Sequence, residues 1–506
     1  MKIPILKSIE IHSLRAAIID ETKSYSYSEL ERQSVQIAKM LKETNILLEG
    51  SRIAVLLNPG FQFAAAALAV WRVGAIFVPM SVNSPDSAIL YVLEDITASI
   101  ILTDNNFELN ISALSRRANA QLLNVENAQN AKVILQDILY KPDREALIIY
   151  TSGTSGKPKG VVISLGNLEA QMTMLIDAWQ WSADDVILNI LPLHHVHGLI
   201  NALFCPLHAG AAVYFLPKFD ANVVWSLFKS HTVNVFMAVP TIYVKLIADF
   251  DAADENEQLK RKEAISSFRL MVSGSAALPV KVLDKWKTMS GHILLERYGM
   301  TEIGMAISNP YIGERRAGFV GMPLPGVQVR LFDESTNLLI DNDEEAGEIQ
   351  IKGPSVFKCY LNRTEVTANS FTKEGWFKTG DLAVRNNGYY KILGRISSDV
   401  IKSGGYKLSA LEIEEQLREH PNILDCAVVG IPDEEWGEKV AAAIVFKTEF
   451  SLNFDSQLTQ WLKERIAPYK IPRVWRFLKE LPRNEMGKVI KNDLITIFNQ
   501  KNDTGA

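Results

Sequence analysis

Short apolar runs followed by helical stretches recur as far as about residue 320, and this alternation restricts the fold more than any other feature of the chain. Ser51–Leu57 reads as a strand, Phe61–Val73 as a helix and Ala75–Pro79 as the next strand. Strand-like runs of the same kind fall at Ser99–Thr103, Val186–Leu191, Ala211–Leu216 and Val233–Val239. Parallel strands need crossover connections that are usually helices, so the alternation predicts an α/β fold of helix-covered sheets. From about Gly321 the texture turns β-rich, with turn signals at Pro325-Gly326, Asp341-Asn342-Asp343, Gly353-Pro354 and Asn386-Asn387-Gly388. Past Gly394-Arg395 a compact α+β tail follows, with helices expected at Ala410–Glu419 and Asp455–Ile466 and strands near Ile423–Val429 and Val440–Phe446. The expected organisation is an N-terminal domain of residues 1–397, its β-rich subdomain at 320–397, and a small mobile C-terminal domain of 398–506. The junction falls in Ser397–Asp399, which taken alone reads as an ordinary surface turn.

A chain of 506 residues exceeds one compact core. Its net charge of −5 offers no general attraction to nucleic acid or to an anionic membrane, so any phosphate binding must be local. Cys205, Cys359 and Cys426 are widely spaced, form no metal-ligand cluster and suit a reducing compartment. The start, Met1-Lys2-Ile3-Pro4-Ile5, has no signal or transit character, so a cytoplasmic location is expected, with an organellar matrix as the alternative. The longest uncharged run, Val186–Pro217, has the length of a bilayer span but holds four histidines, two asparagines and three prolines. A buried α/β core is the better reading.

Chemistry concentrates first in Tyr150-Thr151-Ser152-Gly153-Thr154-Ser155-Gly156-Lys157-Pro158-Lys159-Gly160-Val161. A strand running into such a loop presents backbone N–H groups, hydroxyls and ammonium groups to a polyphosphate. It is not a Walker-type P-loop, because Thr151 and Pro158 stand where that pattern needs Gly and Ser or Thr. Glu296-Arg297-Tyr298-Gly299-Met300-Thr301-Glu302 places an aromatic ring beside glycine, followed by a hydroxyl and a carboxylate. Those groups suit adenine, phosphate and Mg²⁺, although a strand end with a capping Thr has the same residues. Asp381 follows Gly375–Gly380 and by itself reads as a loop cap, and Lys488, in Pro482–Lys488, reads as a solvated lysine.

Taken in order from 150 to 488, these strings resemble the adenylate-forming superfamily of acyl-CoA synthetases, luciferases and peptide-synthetase adenylation domains. The resemblance implies ATP, Mg²⁺ and coenzyme A as co-substrates and ions, an acyl-AMP intermediate, and no nucleic-acid or membrane partner; monomer and homodimer stay open. It implies that Thr151, Ser152, Gly153, Thr154, Ser155, Gly156, Lys157 and Lys159 hold the phosphates. Ser275, Ala276 and Ala277, with Tyr298, Gly299 and Met300, would enclose the adenine, and Asp381 and Arg395 would hold the ribose. Thr301 would meet the phosphate, Glu302 would hold Mg²⁺, and Lys488 would be the mobile catalytic lysine. Gly394–Tyr406 resembles the family's hinge and thiol-tunnel motif, with one residue more between Arg395 and Lys402. Asp399 is taken as the hinge, and Lys402, Gly404 and Gly405 as the tunnel, where glycines let a thin pantetheine arm pass close to backbone. One departure is Leu165, where many relatives carry His.

The acyl pocket decides the carboxylate. Arg297 precedes Tyr298, and strand alternation aims it away from the adenine and toward the acyl side. A buried guanidinium needs an anion, supplied by a second substrate carboxylate or by a protein acid such as Glu296 or Glu302. In Leu191–Gly198, His194 suits a core or gating role, and His195 or His197 a hydrogen bond to a polar acyl group. Leu191–Gly198, Asn234–Tyr243, Arg269–Leu278 and Leu294–Met305 resemble the malonate/methylmalonate branch of the acyl-CoA synthetases, which implies that Arg297 grips a distal carboxylate and Met305 keeps the pocket short. Rival readings are a short- or medium-chain monocarboxylate ligase, an enzyme loading a carrier-protein thiol, a luciferase-type oxygenase, and a nucleotide-binding protein without catalysis.

Overall fold

The computed structural model describes residues 2–130, 134–136, 138–151, 157–404, 406–447, 454–483 and 489–499. Lys488, Ser152–Gly156 and Gly405 lie outside them. Among the described residues, the expected alternation becomes two large sheets. In one, strands Glu145–Thr151, Ile76–Pro79, Arg52–Val55, Ile100–Thr103 and Gln121–Asn124 lie side by side and parallel. In the other, Ala212–Phe215, Val186–Asn189, Val235–Ala238, Leu270–Ser273 and Leu295–Met300 are parallel neighbours. The second sheet continues through an antiparallel hairpin into Gly304–Ser308.

Helix Phe61–Arg72 shows why the layers close. Its run of alanines lets it sit between neighbours, and every residue from Phe63 to Arg72 is buried. Arg72 is accommodated there by donating Nε–H to Ser34 Oγ at 2.9 Å and pairing with Glu31 at 3.4 Å. The uncharged run Val186–Pro217 forms a strand, the π-helix His197–Phe204, a short helix and the strand Ala212–Phe215, all within the core. Among the described residues, no helix is long and apolar enough to cross a membrane.

Two local outcomes differ from the sequence reading. Val186–Leu191 stops as a strand at Asn189, because the Asn189 side chain accepts the Leu191 N–H at 3.0 Å and turns the chain. Glu145–Thr151 also pairs antiparallel with Lys159–Ser164, with Thr151 opposite Lys159. So few residues separate those strands that no parallel crossover fits between them. At Leu165, Ser164 caps the helix Leu165–Trp179 in a reciprocal box with Asn167, and the Leu165 side chain is buried.

The β-rich segment forms a five-stranded antiparallel sheet that includes Gly347–Lys352, Phe377–Asn386 and Tyr389–Arg395. The tail builds its own sheet from Val400–Ser403, Tyr406–Ser409, Ile423–Asp433, Gly437–Phe446 and Val474–Phe477, of which the first two and the last were unforeseen in the sequence. Helices Ala410–Arg418, Phe454–Lys463 and Lys491–Asn499 accompany it.

Opposite the strand ends that carry the site, Asp185, Asn234 and Arg269 each precede a parallel strand of the second sheet. Arg269 forks onto Asp185 at 2.6 and 2.7 Å, and Asn234 Nδ2 donates to Asp185 Oδ1 at 3.0 Å. Asp185 is 2% exposed, so removing it strands a desolvated guanidinium. Asp185→Ala should therefore cost about 3–5 kcal/mol of stability, read by urea unfolding, while the folded fraction keeps its kcat.

Candidate active site

Parallel strands present their carboxyl ends on one edge, where ligand sites of open α/β sheets lie. Leu191–Gly198, Gly274–Ala277 and Tyr298–Glu302 all follow such ends. Tyr298 is half-buried and donates its hydroxyl to Asp381 Oδ2 at 2.6 Å. Asp381 faces Arg395 across antiparallel strands and pairs with its Nε at 2.9 Å. Arg395 also donates Nη1–H to the Thr379 carbonyl at 2.8 Å. Asp381 therefore lies within a strand, not in a loop cap. Burial and the Asp381 carboxylate push the Tyr298 phenol well above its ordinary range.

Thr301 and Glu302 lie in the turn between Leu295–Met300 and Gly304–Ser308, directly after the strand end at Met300. Glu302 is buried and accepts the Tyr360 hydroxyl at 2.8 Å, while its carbonyl accepts the Phe357 N–H at 2.7 Å. Burial raises its carboxyl, opposed by the Tyr360 hydrogen bond and by the Arg395 and Lys159 charges. Lys159 lies 5.1 Å from the centre of the Tyr360 ring, and Lys157 lies 5.6 Å from that of Tyr91. Tyr91 donates to the Pro158 carbonyl at 2.8 Å, tying one flank of the loop to helix Asp86–Asp95. A cavity of about 510 Å³ opens beside this loop, lined by Ser81, Tyr91, Tyr150, Thr151, Lys157 and His194 among others.

Arg297 points to the other side of its strand. It is 5% exposed, and neither its Nε nor its Nη2 has a hydrogen-bond partner among the described residues. It forms no ion pair with Glu296 or Glu302. Burial pushes its pKa down to about 9. Gly274 makes room for it, since a Cβ there would lie 2.4 Å from the guanidinium carbon. His197 is likewise buried, with Nδ1 3.1 Å from Ser275 Oγ and Nε2 without a partner. Burial, then Arg297 and His195, hold its pKa well below the ordinary range. Ser275 adopts a left-handed φ of 70° that aims this contact, and Ala276 and Ala277 follow it at the surface. His195 packs on His194 at 4.3 Å between ring centres, and burial holds His194 down to about 4. Met305 is buried, and its N–H is taken by Gln171 Oε1 at 2.7 Å.

The predicted residues thus fall in two groups on one edge, an Asp381–Arg395–Tyr298–Glu302 cluster and an Arg297–His197–Met305 pocket. The third group lies apart, in the tail sheet. Lys402 is exposed, and Gly404, with φ 56°, lies against the Trp436 ring. Asp399 is buried in the turn that follows Arg395. Sequence reasoning missed Tyr360, Gly274, Gln171 and Tyr91. Gly274 sits within the quoted string Arg269–Leu278, whereas Tyr360 and Gln171 reach the site from far along the chain with no local signal.

Glu296, next to Arg297, points away from the pocket. Burial, with Glu415 nearby, pushes its carboxyl up to about 8 despite a hydrogen bond from the Gly318 N–H. Below its ordinary value of 4.5 both folded and unfolded chains hold the proton. Between that value and about 8 only the unfolded chain has released it, so stability falls with rising pH by up to about 1.4 kcal/mol per unit. Glu296→Gln should remove this slope: its stability advantage over the parent should widen between pH 5 and pH 8 in denaturant titrations.

Residues 7–361 match the family described as AMP-binding enzyme, and residues 412–488 match the AMP-binding enzyme C-terminal domain. The chain is 40% identical to the mitochondrial malonate–CoA ligase of Homo sapiens, over 96% of this chain and 90% of that relative. The ATP-bound crystal structure of MatB from Rhodopseudomonas palustris superimposes with a TM-score of 0.91 at 32% identity, covering 99% of both chains. A malonyl-CoA ligase product complex with methylmalonyl-CoA and AMP gives 0.69 at 36% identity, covering 93% of this chain and 97% of the other. With matched residues spanning most of its length and the same arrangement of sheets, the chain belongs to the AMP-binding enzyme family.

Proposed function

We propose that the protein is an AMP-forming malonate–CoA ligase: malonate and ATP give malonyl-AMP and pyrophosphate, and CoA then gives malonyl-CoA and AMP. The observation that carries the choice of acid is Arg297, a buried guanidinium with no anion beside it among the described residues, on the opposite side of its strand from the proposed nucleotide cluster. A buried cation is costly unless paired. A substrate carboxylate meets that need, and Arg accepts one in bidentate fashion. His197 Nε2 adds a third polar atom without a partner among the described residues, and Met305 closes the pocket so that a short diacid fits better than an acyl chain.

Tyr298 offers its ring to the adenine, and Asp381 and Arg395 receive the ribose hydroxyls. Thr151, Lys157, Lys159 and Thr301 face the phosphates. The donor set suits a hard cation shared with ATP. Glu302 supplies one carboxylate, and among the described residues no cluster of acids and histidines would hold a metal alone. Bound there, Mg²⁺ would neutralise phosphate charge. The malonate carboxylate, already ionised, attacks the α-phosphorus. Lys488, carried by the domain we place at 398–506, stabilises the charge that builds between the attacking oxygen and the phosphate. The CoA sulfur then attacks the acyl carbon, the C–O bond to AMP breaks, and the thiol proton leaves to solvent. We assign Lys402, Gly404 and Gly405 to the pantetheine path of that second step.

Thioester formation with malonate, methylmalonate, succinate, acetate, butyrate and octanoate tests the reading. Malonate or methylmalonate should lead in kcat/KM by about tenfold or more, some 1.4 kcal/mol. A lead by butyrate or octanoate would replace it with a monocarboxylate ligase. Arg297→Ala should cost malonate about 2–5 kcal/mol in kcat/KM and spare acetate. Lys488→Ala should abolish malonyl-AMP formation yet still turn supplied malonyl-AMP and CoA into malonyl-CoA.

A further inference from the structure

The turn Ile396–Asp399 between the β-rich sheet and the tail leads to a buried chain of charges. Asp399 Oδ2 accepts the Arg395 N–H at 2.9 Å, and its Oδ1 lies 2.8 Å from Lys491 Nζ. Lys491 also pairs with Glu414 Oε1 at 2.9 Å and donates to the Val428 carbonyl at 2.8 Å. Glu414 in turn holds Arg418 at 3.0 Å and accepts the Val428 N–H at 2.8 Å. The side chains of Lys491, Asp399 and Glu414 are 11%, 13% and 4% exposed. Charges alternate along the row, so each desolvated group has a counter-charge.

Two members of this row matter. Beyond Asp399, the Arg395 whose backbone it holds places its side chain on Asp381. Within the row, Lys491 begins the helix Lys491–Asn499, three positions after Lys488 in sequence. The described residues that flank Lys488 in sequence are joined by an Arg483–Val489 bridge and by the Ile490 N–H on the Pro482 carbonyl at 2.9 Å. Lys491 is therefore bonded on one side to the tail's own helix and strand, and on the other to the carboxylate that touches the nucleotide-binding sheet. Rotation about residues 398–399 would part Asp399 from the Arg395 amide, while the Lys491–Glu414 contact travels with the tail.

We propose that Lys491 is a positioning residue that latches the C-terminal domain, through Asp399, in the arrangement that makes the acyl-adenylate. This rests on the ligase reading with Asp399 as hinge and Lys488 as the adenylation lysine. The chain's arrangement is nearer that of ATP-bound MatB than that of the product complex, which assigns the latch to the first half-reaction. Lys491 itself touches no substrate.

Malonate-dependent exchange of pyrophosphate into ATP reads the first half-reaction, and CoA-dependent consumption of pre-formed malonyl-AMP reads the second. Lys491→Met should lower exchange by about tenfold or more and leave the second reaction within about threefold. Lys491→Arg should restore part of the exchange. Asp399→Asn leaves Lys491 paired with Glu414, so it keeps the tail folded even where Lys491→Met does not, and it should shift the ratio of the two reactions in the same direction. Equal loss of both half-reactions in Asp399→Asn, or loss of neither, would overturn the latch. Absence of malonate-dependent exchange in the unmodified protein would overturn the ligase reading and the latch with it.

Discussion

The contact on which the site depends is the hydrogen bond from Tyr298 to Asp381, 83 positions apart in the chain. Tyr298 lies in the strand Leu295–Met300 of the large second sheet, beyond its parallel pairing, whereas Asp381 and Arg395 belong to the antiparallel sheet. Their bonds join the two layers at the position proposed for the nucleotide. A second tie acts nearby: Glu302, in the turn beyond Tyr298, is held by Tyr360, whose short strand pairs with Lys159–Ser164 of the first sheet. Three sheets thus converge on one turn. Tyr298 and Glu302 are each oriented by a partner on a different layer, which is how a rigid scaffold pre-positions polar groups for a charged ligand.

The two sides of the strand Leu295–Met300 have opposite electrostatic characters. Facing the nucleotide cluster, Asp381 and Arg395 are mutually paired. Facing the pocket, Arg297 and His197 are buried and short of partners. An unpartnered buried guanidinium is unfavourable in the empty protein, and such a cost is offset only by a ligand of the opposite charge. In the proposed reading, that asymmetry separates adenylation from the choice of acid. Gly274 enables it by lacking the one atom that would collide with the guanidinium.

The tail follows the same logic on a smaller scale. Its own apolar cluster, built on Ile413, Leu417, Val428, Ile444 and Leu458, makes it a body with a core, and the Asp399–Lys491–Glu414 row connects that body to the sheet that holds Asp381. A polar row has geometry that an apolar contact lacks, so it can define one arrangement and release it when the hydrogen bond to Arg395 is parted.

Much was readable from sequence because the information was local. Strand and helix periods located the layers to within a few residues, and the strings 296–302 and 375–381 named residues that the fold brings to one edge. The antiparallel pairing of 145–151 with 159–164 was less legible, since an apolar run shows that a strand exists but not the direction of its neighbour. Whether Arg297 has a protein partner was open in sequence, as Glu296 and Glu302 both flank it. Only the tertiary structure decided, by turning Glu296 toward Gly318 and Glu415 and giving Glu302 to Tyr360. Lys491 reads as an ordinary lysine at a helix start until the fold places Asp399 and Glu414 against it. Local order determines the elements and the residue types at their ends, whereas pairing between distant side chains depends on how layers pack, which no local pattern encodes.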